Sequence, residues 1–169
     1  MQRRFPIIYN VYASDDVAIL CIGGMKMKLR DIMTQTVIKI NPEESVAVAA
    51  RILARNNIGS LPVCGKGGNL CGVVTDRDLV IRCLASGKDP KNTAVQEIMT
   101  TGVVSASPDM DAAMAASLMG RRQIRRLPVV DNGKLCGMVS LGDMSRRDEM
   151  AYDAGDALAQ ISSNVSNRG

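Results

Sequence analysis

Histidine and tryptophan do not occur among the 169 residues of this chain, and one phenylalanine and three tyrosines are its whole stock of aromatic side chains. Without histidine, the commonest general base and the commonest transition-metal ligand are missing. With so few aromatics, the core must be built from Val, Ile, Leu, Ala and Met, and the platforms on which single-stranded nucleic acid stacks are lacking. No GxxxxGKS/T phosphate loop, GxSxG elbow, CxxC pair or clustered ligand set occurs either. An enzyme would have to work without a recognisable nucleophile, base or metal site, so no catalytic residues and no metal are expected. Long hydrophobic runs are absent as well. Val17 to Ile22 is far too short to cross a bilayer, and Asp15 and Asp16 spoil it as a signal peptide, so no membrane partner is expected.

What is present describes a folded soluble protein: 46% hydrophobic residues with 22% charged. The net charge of +4 is mild; it permits an anionic small ligand without demanding a nucleic-acid groove. The five cysteines, Cys21, Cys64, Cys71, Cys83 and Cys136, are odd in number and mostly sit inside apolar patterns. They read as small buried hydrophobes of a reducing cytoplasm.

The chain is organised by an internal repeat. DIMTQTV (31–37) returns as EIMTTGV (97–103), AVAARILARNNI (47–58) as AMAASLMGRRQI (113–124), LPV at Leu61 as LPV at Leu127, and GVVTDRD (72–78) as GMVSLGD (137–143). Four ordered blocks at a nearly constant offset are not produced by chance. Each copy reads the same way. A short apolar strand, Val37 to Ile40 in the first copy, ends at Asn41 and Pro42, and Ser45 then opens an amphipathic helix with Val46, Ala49, Ala50, Leu53 and Ala54 on its apolar face. A strand at Leu61–Cys64, a glycine-rich hairpin loop at 65–69 and a strand at Leu70–Thr75 follow. A helix from Asp76 then carries Leu79, Val80, Cys83 and Leu84 and stops at Gly87. Asp131, Asn132 and Gly133 form the equivalent turn of the second copy. The fold class is α+β: two β-α-β-β-α repeats packed with pseudo-two-fold symmetry, each covering a face the other would leave exposed. The boundaries are 1–27 for an N-terminal extension outside the fold, 28–87 and 95–148 for the repeats, 88–94 for a polar linker, and 149–169 for a C-terminal helix and disordered tail. Met150, Ala154, Leu158 and Ile161 fall on one stripe of that helix.

The doubled IMT, the doubled LPV after an amphipathic helix, and the doubled motif of Gly, two apolar residues, Thr or Ser, two variable residues and Asp resemble a tandem pair of CBS domains, a Bateman module. The likeness covers about 120 residues. It implies a regulatory, non-catalytic module that binds adenosine nucleotides (AMP, ADP or ATP) or S-adenosylmethionine in clefts between the two repeats. No cofactor is required for such a role. It also implies a homodimer of modules acting on an effector protein.

Two explanations for Thr75 and Asp78 stay open on sequence alone. A hydroxyl at a helix N-cap with an acid three residues on is a capping box, and the same holds for Ser140 and Asp143. The resemblance adds a second role, with Thr75, Asp78, Ser140 and Asp143 holding the hydroxyls of a ribose. Asp cannot also receive a phosphate, and Arg125 and Arg126, standing where the first repeat has Gly59 and Ser60, are the candidates for that. In modules of this kind the residue ahead of the second strand often faces the ligand on the partner repeat, which would pair these arginines with Asp78. Val37, Val73, Val103, Met138, Pro62 and Pro128 are the adenine-wall candidates by resemblance, and core residues by composition. The alternatives are a ligand-free interaction or dimerisation module and, with less support, a nucleic-acid binder using the arginine-rich run 121–126.

Overall fold

A computed structural model describes residues 27–166, with side chains as far as residue 163. What was expected of the N-terminal extension and of Cys21 lies outside the described residues, except at Met27. Its carbonyl accepts the Ala112 N–H at 2.8 Å and its side chain packs against the core, so it belongs to the fold.

The elements are α1 (Leu29–Ile32), α2 (Val46–Asn56), β1 (Ser60–Cys64), β2 (Leu70–Thr75), α3 (Asp76–Asp78, continuing as a π-helix over Leu79–Leu84), a 3-10 turn at Val95–Glu97, α4 (Ala112–Arg122), β3 (Arg126–Asp131), β4 (Lys134–Ser140), α5 (Leu141–Ser145) and α6 (Ala151–Ser166). This is the mixed helix-and-strand order that the repeat predicts. Contacts divide the described residues into two compact units. The first holds 38–103 with 132–135, and the second holds the described residues up to 37 together with 104–131 and those from 136 on. Each unit therefore contains the leading segment of the other sequence repeat.

In the first unit β1 and β2 pair antiparallel, with Ser60 opposite Thr75, Leu61 opposite Val74 and Pro62 opposite Val73. Leu61, Val63 and Val74 turn inward onto Val46, Ala49 and Leu53 of α2, onto Leu79 and Cys83, and onto Val95 and Ile98 of the exchanged segment. The expected strand at 37–40 is a single parallel bridge, Ile40 with Val63, because the chain passes from one unit to the other between Val37 and Ile38. Ala50 and Ala54 of α2 are exposed, and Val80 and Leu84 on the helix after Asp78 are exposed too, contrary to expectation. The free N–H groups at the start of α2 are taken up by the linker: Val46 N–H donates to the Thr93 carbonyl and Ala47 N–H to the Pro90 carbonyl, both at 2.9 Å.

The second unit repeats this core with Leu127, Val129 and Val139 on the sheet, Ala112, Ala115 and Met119 on α4, and Leu29 and Ile32 from the exchanged segment. It has one extra layer, α6, which buries Met150, Ala154 and Ala157. Leu158, placed by sequence on that stripe, is 46% exposed. Ala157 holds the place instead, because α6 crosses α4 at Gly120, where a β-carbon would stand 3.2 Å from the Ala157 Cα. Helix α6 also runs through Ser166, further than the polar end of the sequence suggested. The left-handed residues that end α2 and α4, Asn57 and Gln123, occupy equivalent positions. Asn adopts that conformation readily, whereas Gln123 is held there by its amide, which donates to the Gly120 carbonyl at 2.9 Å and the Gln160 carbonyl at 3.2 Å.

Candidate functional site

Both Thr/Ser-x-x-Asp motifs form the same corner, where the last residue of a strand becomes the N-cap of a helix. Thr75 and Ser140 share φ −118° with extended ψ, and the backbone of the preceding strand is tied to each corner: Asp76 N–H donates to the Gly59 carbonyl and Leu141 N–H to the Arg125 carbonyl, both at 3.1 Å. The capping box is complete in the first unit. Asp78 N–H donates to Thr75 Oγ1 at 3.2 Å, while Asp78 Oδ2 accepts from Thr75 N–H at 2.9 Å and from its hydroxyl at 2.7 Å. In the second unit Asp143 N–H donates to Ser140 Oγ at 3.0 Å and the Ser140 hydroxyl donates to Asp143 Oδ2 at 2.5 Å.

In both corners Oδ2 serves the cap and Oδ1 does not. Asp78 Oδ1 lies 3.4 Å from Arg82 Nε, and Asp143 Oδ1 is ion-paired with Arg146. The side chain of Asp78 is 13% exposed and that of Asp143 37%. Sequence reasoning missed both arginines, although an acid three or four residues before an arginine on a helix signals such a pair.

Register gathers part of the predicted set. In the first unit Thr75, Val73 and Pro62 share the sheet face turned away from Leu61 and Val74, and Ser60 stands beside Thr75. Ser60 is 9% exposed and its hydroxyl has no hydrogen-bond partner among the described residues. Val103, in the same unit, is half-buried. In the second unit Arg125 precedes β3 and Arg126 begins it, both exposed and in none of the ion pairs among the described residues. Leu141 N–H donates to the Arg125 carbonyl, which puts the backbone of Arg125, and not a guanidinium, at the Ser140–Asp143 corner of its own unit. Pro128 is buried on β3, Met138 is half-buried on β4 with its backbone paired to Thr34, and Val37 is half-buried.

The glycine that opens each motif has a packing reason. A β-carbon at Gly72 would stand 2.8 Å from the Thr100 carbonyl oxygen and 2.7 Å from Met99 Sδ, while one at Gly137 would collide with the Met33 side chain. The methionine of each IMT block thus lies against the glycine of the other repeat's motif, and Thr100 and Thr34 each add one bridge to the sheet, at Val73 and Met138.

Cys64, Cys71, Cys83 and Cys136 are free thiols. Burial pushes the Cys64 and Cys136 thiols up, which disfavours the thiolate. Among the described residues no group of three or more Cys, Asp or Glu is placed to hold a metal, and no helix is long and apolar enough to cross a membrane.

The family model described as CBS domain matches residues 29–84 and 95–149. Among curated proteins, the CBS domain-containing protein YhcV of Bacillus subtilis is 40% identical over 134 residues, 79% of this chain and 94% of that one. Among solved structures, Hypoxic Response Protein I with two coordinated zinc ions aligns at 32% identity and a TM-score of 0.67, over 72% of this chain and 98% of that one. The CBS domain pair of protein MJ0100, in complex with 5-methylthioadenosine and S-adenosyl-L-methionine, aligns at 32% identity and a TM-score of 0.65, over 72% and 95%. A repeated cap corner, a repeated hairpin and two family matches in tandem lead to one conclusion: this chain belongs to the CBS domain family and carries the domain as a pair.

Proposed function

We propose that this chain is a ligand-sensing regulatory module that binds an adenosine nucleotide, AMP, ADP or ATP, or a related adenosyl compound such as S-adenosylmethionine. The observation that carries the proposal is the division of work within each carboxylate. Oδ2 of Asp78 and of Asp143 serves the cap, whereas Oδ1 stands outside it, held only by a partly exposed arginine, Arg82 or Arg146, with which the hydroxyls of a ribose would share it. The cap and the ligand role are therefore compatible in one residue. The unpartnered Ser60 hydroxyl supports a polar ligand at the first corner. The exposed Arg125 and Arg126, in none of the ion pairs among the described residues, support a phosphate, since their planar forks suit phosphate oxygens. Val73, Met138, Pro62 and Pro128, with Val37 and Val103, are the apolar residues offered to the base. The adenosyl ligands of the MJ0100 pair support the chemistry. Sensing further demands that the ligand favour one state of the module over another.

Isothermal titration with adenosine, AMP, ATP and S-adenosylmethionine tests the proposal. Saturable binding is expected, weakened about tenfold or more by Asp78→Ala or Asp143→Ala. The absence of both binding heat and a thermal shift at millimolar ligand for all four compounds would sink it, because a ligand of the native state raises stability. A second reading, a ligand-free dimerisation module, is favoured by the exposed Val80, Ile81 and Leu84 of the first unit. On that reading the same alanine variants lose stability alone, and Leu84→Glu dissociates a homodimer in sedimentation.

A further inference from the structure

One arginine of the first unit touches both the carboxylate corner and the segment that closes the sheet. Arg82 lies one turn after Asp78, with Nε 3.4 Å from Asp78 Oδ1. Its Nη1 donates to the Ile98 carbonyl at 2.8 Å and to the Thr100 hydroxyl at 3.2 Å. Thr100 in turn exchanges both backbone hydrogen bonds with Val73, at 2.9 and 3.0 Å. A guanidinium offers five donors in one rigid plane, so a single side chain here hydrogen-bonds two acceptors and ion-pairs a carboxylate, and what holds one of them affects the others.

The second unit separates these tasks. Arg146 takes the Asp143 carboxylate, and Arg147, which stands where the first repeat has Arg82, reaches only the Asp31 carbonyl, at 3.5 Å. No side chain there joins the carboxylate to the leading segment among the described residues.

We propose that Arg82 couples the Asp78 carboxylate to residues 98–100, and that this coupling belongs to the first unit alone. A hydroxyl donor arriving at Oδ1 offsets part of the carboxylate charge and weakens its pull on Nε. The guanidinium then centres on Ile98 and Thr100 and tightens the Val73–Thr100 pairing. From Thr100 the chain runs through Val103 into residue 104 of the other unit, so the effect leaves by a covalent route.

Hydrogen exchange at the Thr100 and Val73 amides tests this, with Thr34 and Met138 as the internal comparison. The ligand arm rests on the nucleotide reading above, and a mutant cycle does not. Across wild type, Asp78→Asn, Arg82→Gln and the double variant, the exchange rate at Thr100 is expected to depart from multiplicative behaviour by about tenfold. The corresponding cycle with Asp143→Asn and Arg147→Gln, read at Thr34, is expected to be multiplicative. With AMP bound, exchange at Thr100 slows in wild type and not in Arg82→Gln. Multiplicative rates in the first cycle, or slowing by AMP that persists in Arg82→Gln, overturn the proposal. If AMP gives no binding heat, the nucleotide reading falls and the cycle alone decides the coupling. Should Arg82→Gln fail to fold, Arg82→Lys and Thr100→Val each remove part of the fork, and either must lessen the departure for the proposal to stand.

Discussion

The two carboxylate corners are built on the same cap yet surrounded differently. Around Asp78 the corner is half-hidden, has a serine at the start of the neighbouring strand, and shares its arginine with the segment that closes the sheet. Around Asp143 it is more open, has Arg125 and Arg126 beside it, and holds an arginine that serves the carboxylate alone. Both differences arise at equivalent positions: Ser60 against Arg126, and Ile81 with Arg82 against Arg146 with Arg147. A duplicated scaffold keeps what the backbone requires, the cap and the glycine, and is free to vary what lies around the carboxylate oxygen outside the cap. On the function proposed above, the first corner would pass on occupancy and the second would attract negative charge.

The largest effect should come from the glycines. Gly72→Ala directs a methyl group at the backbone oxygen of Thr100, which cannot move without unseating the closing segment, so a loss of about 3 kcal/mol is expected in chemical denaturation. Gly137→Ala meets the Met33 side chain first, whose sulfur can turn away while its Cβ stays at 3.2 Å, and a smaller loss of about 1 kcal/mol is expected. Equal losses would show that the two sheets are closed in the same way. A smaller effect is expected at the arginines. Arg126→Ser, which gives the second strand the first strand's residue, should weaken AMP about tenfold and leave adenosine unchanged in titration calorimetry. A loss shared by both ligands would mean that the arginine supports the corner and not the phosphate.

The smallest concerns acid. Glu97 accepts the Ala94 N–H at 2.9 Å, and with Lys88 nearby this holds its carboxyl below the ordinary range. Asp109 is held low in the second unit by Lys28 and Arg30. A carboxyl lowered on folding adds stability above its unfolded pKa, and the contribution is lost as pH falls through the lowered folded value. Amide exchange at 95–98 should therefore quicken below about pH 4, and Glu97→Gln should remove that step.

The hairpins, the amphipathic helices and both cap corners were legible in the sequence because each depends on neighbours within a few residues. Asn132 and Gly133, for instance, both take positive φ, as the turn they form demands. The exchange of leading segments was not legible. Met33 and Met99 each precede the glycine of their own copy by nearly the same offset, 39 and 38 residues, so the repeat pattern is the same whichever motif each one covers. Nor did periodicity place Ala157 ahead of Leu158, because the close approach at Gly120 decides that face and lies 37 residues away from it in sequence. Of the candidate site, the acids and hydroxyls stand out by motif, while Arg82 and Arg146 drew no reading from sequence. Their meaning depends on which carboxylate oxygen the cap leaves over.

The crossing of Met33 onto Gly137 and of Met99 onto Gly72 has a consequence for inheritance. Neither copy of the motif can be cut from the gene and still bring its own lid, since each lid is encoded ahead of the other copy. Loss of one half would leave the survivor with an uncovered glycine groove and a sheet lacking its last bridge. The pair, not the single domain, is thus the smallest piece of the gene that carries both the motifs and the segments that cover them.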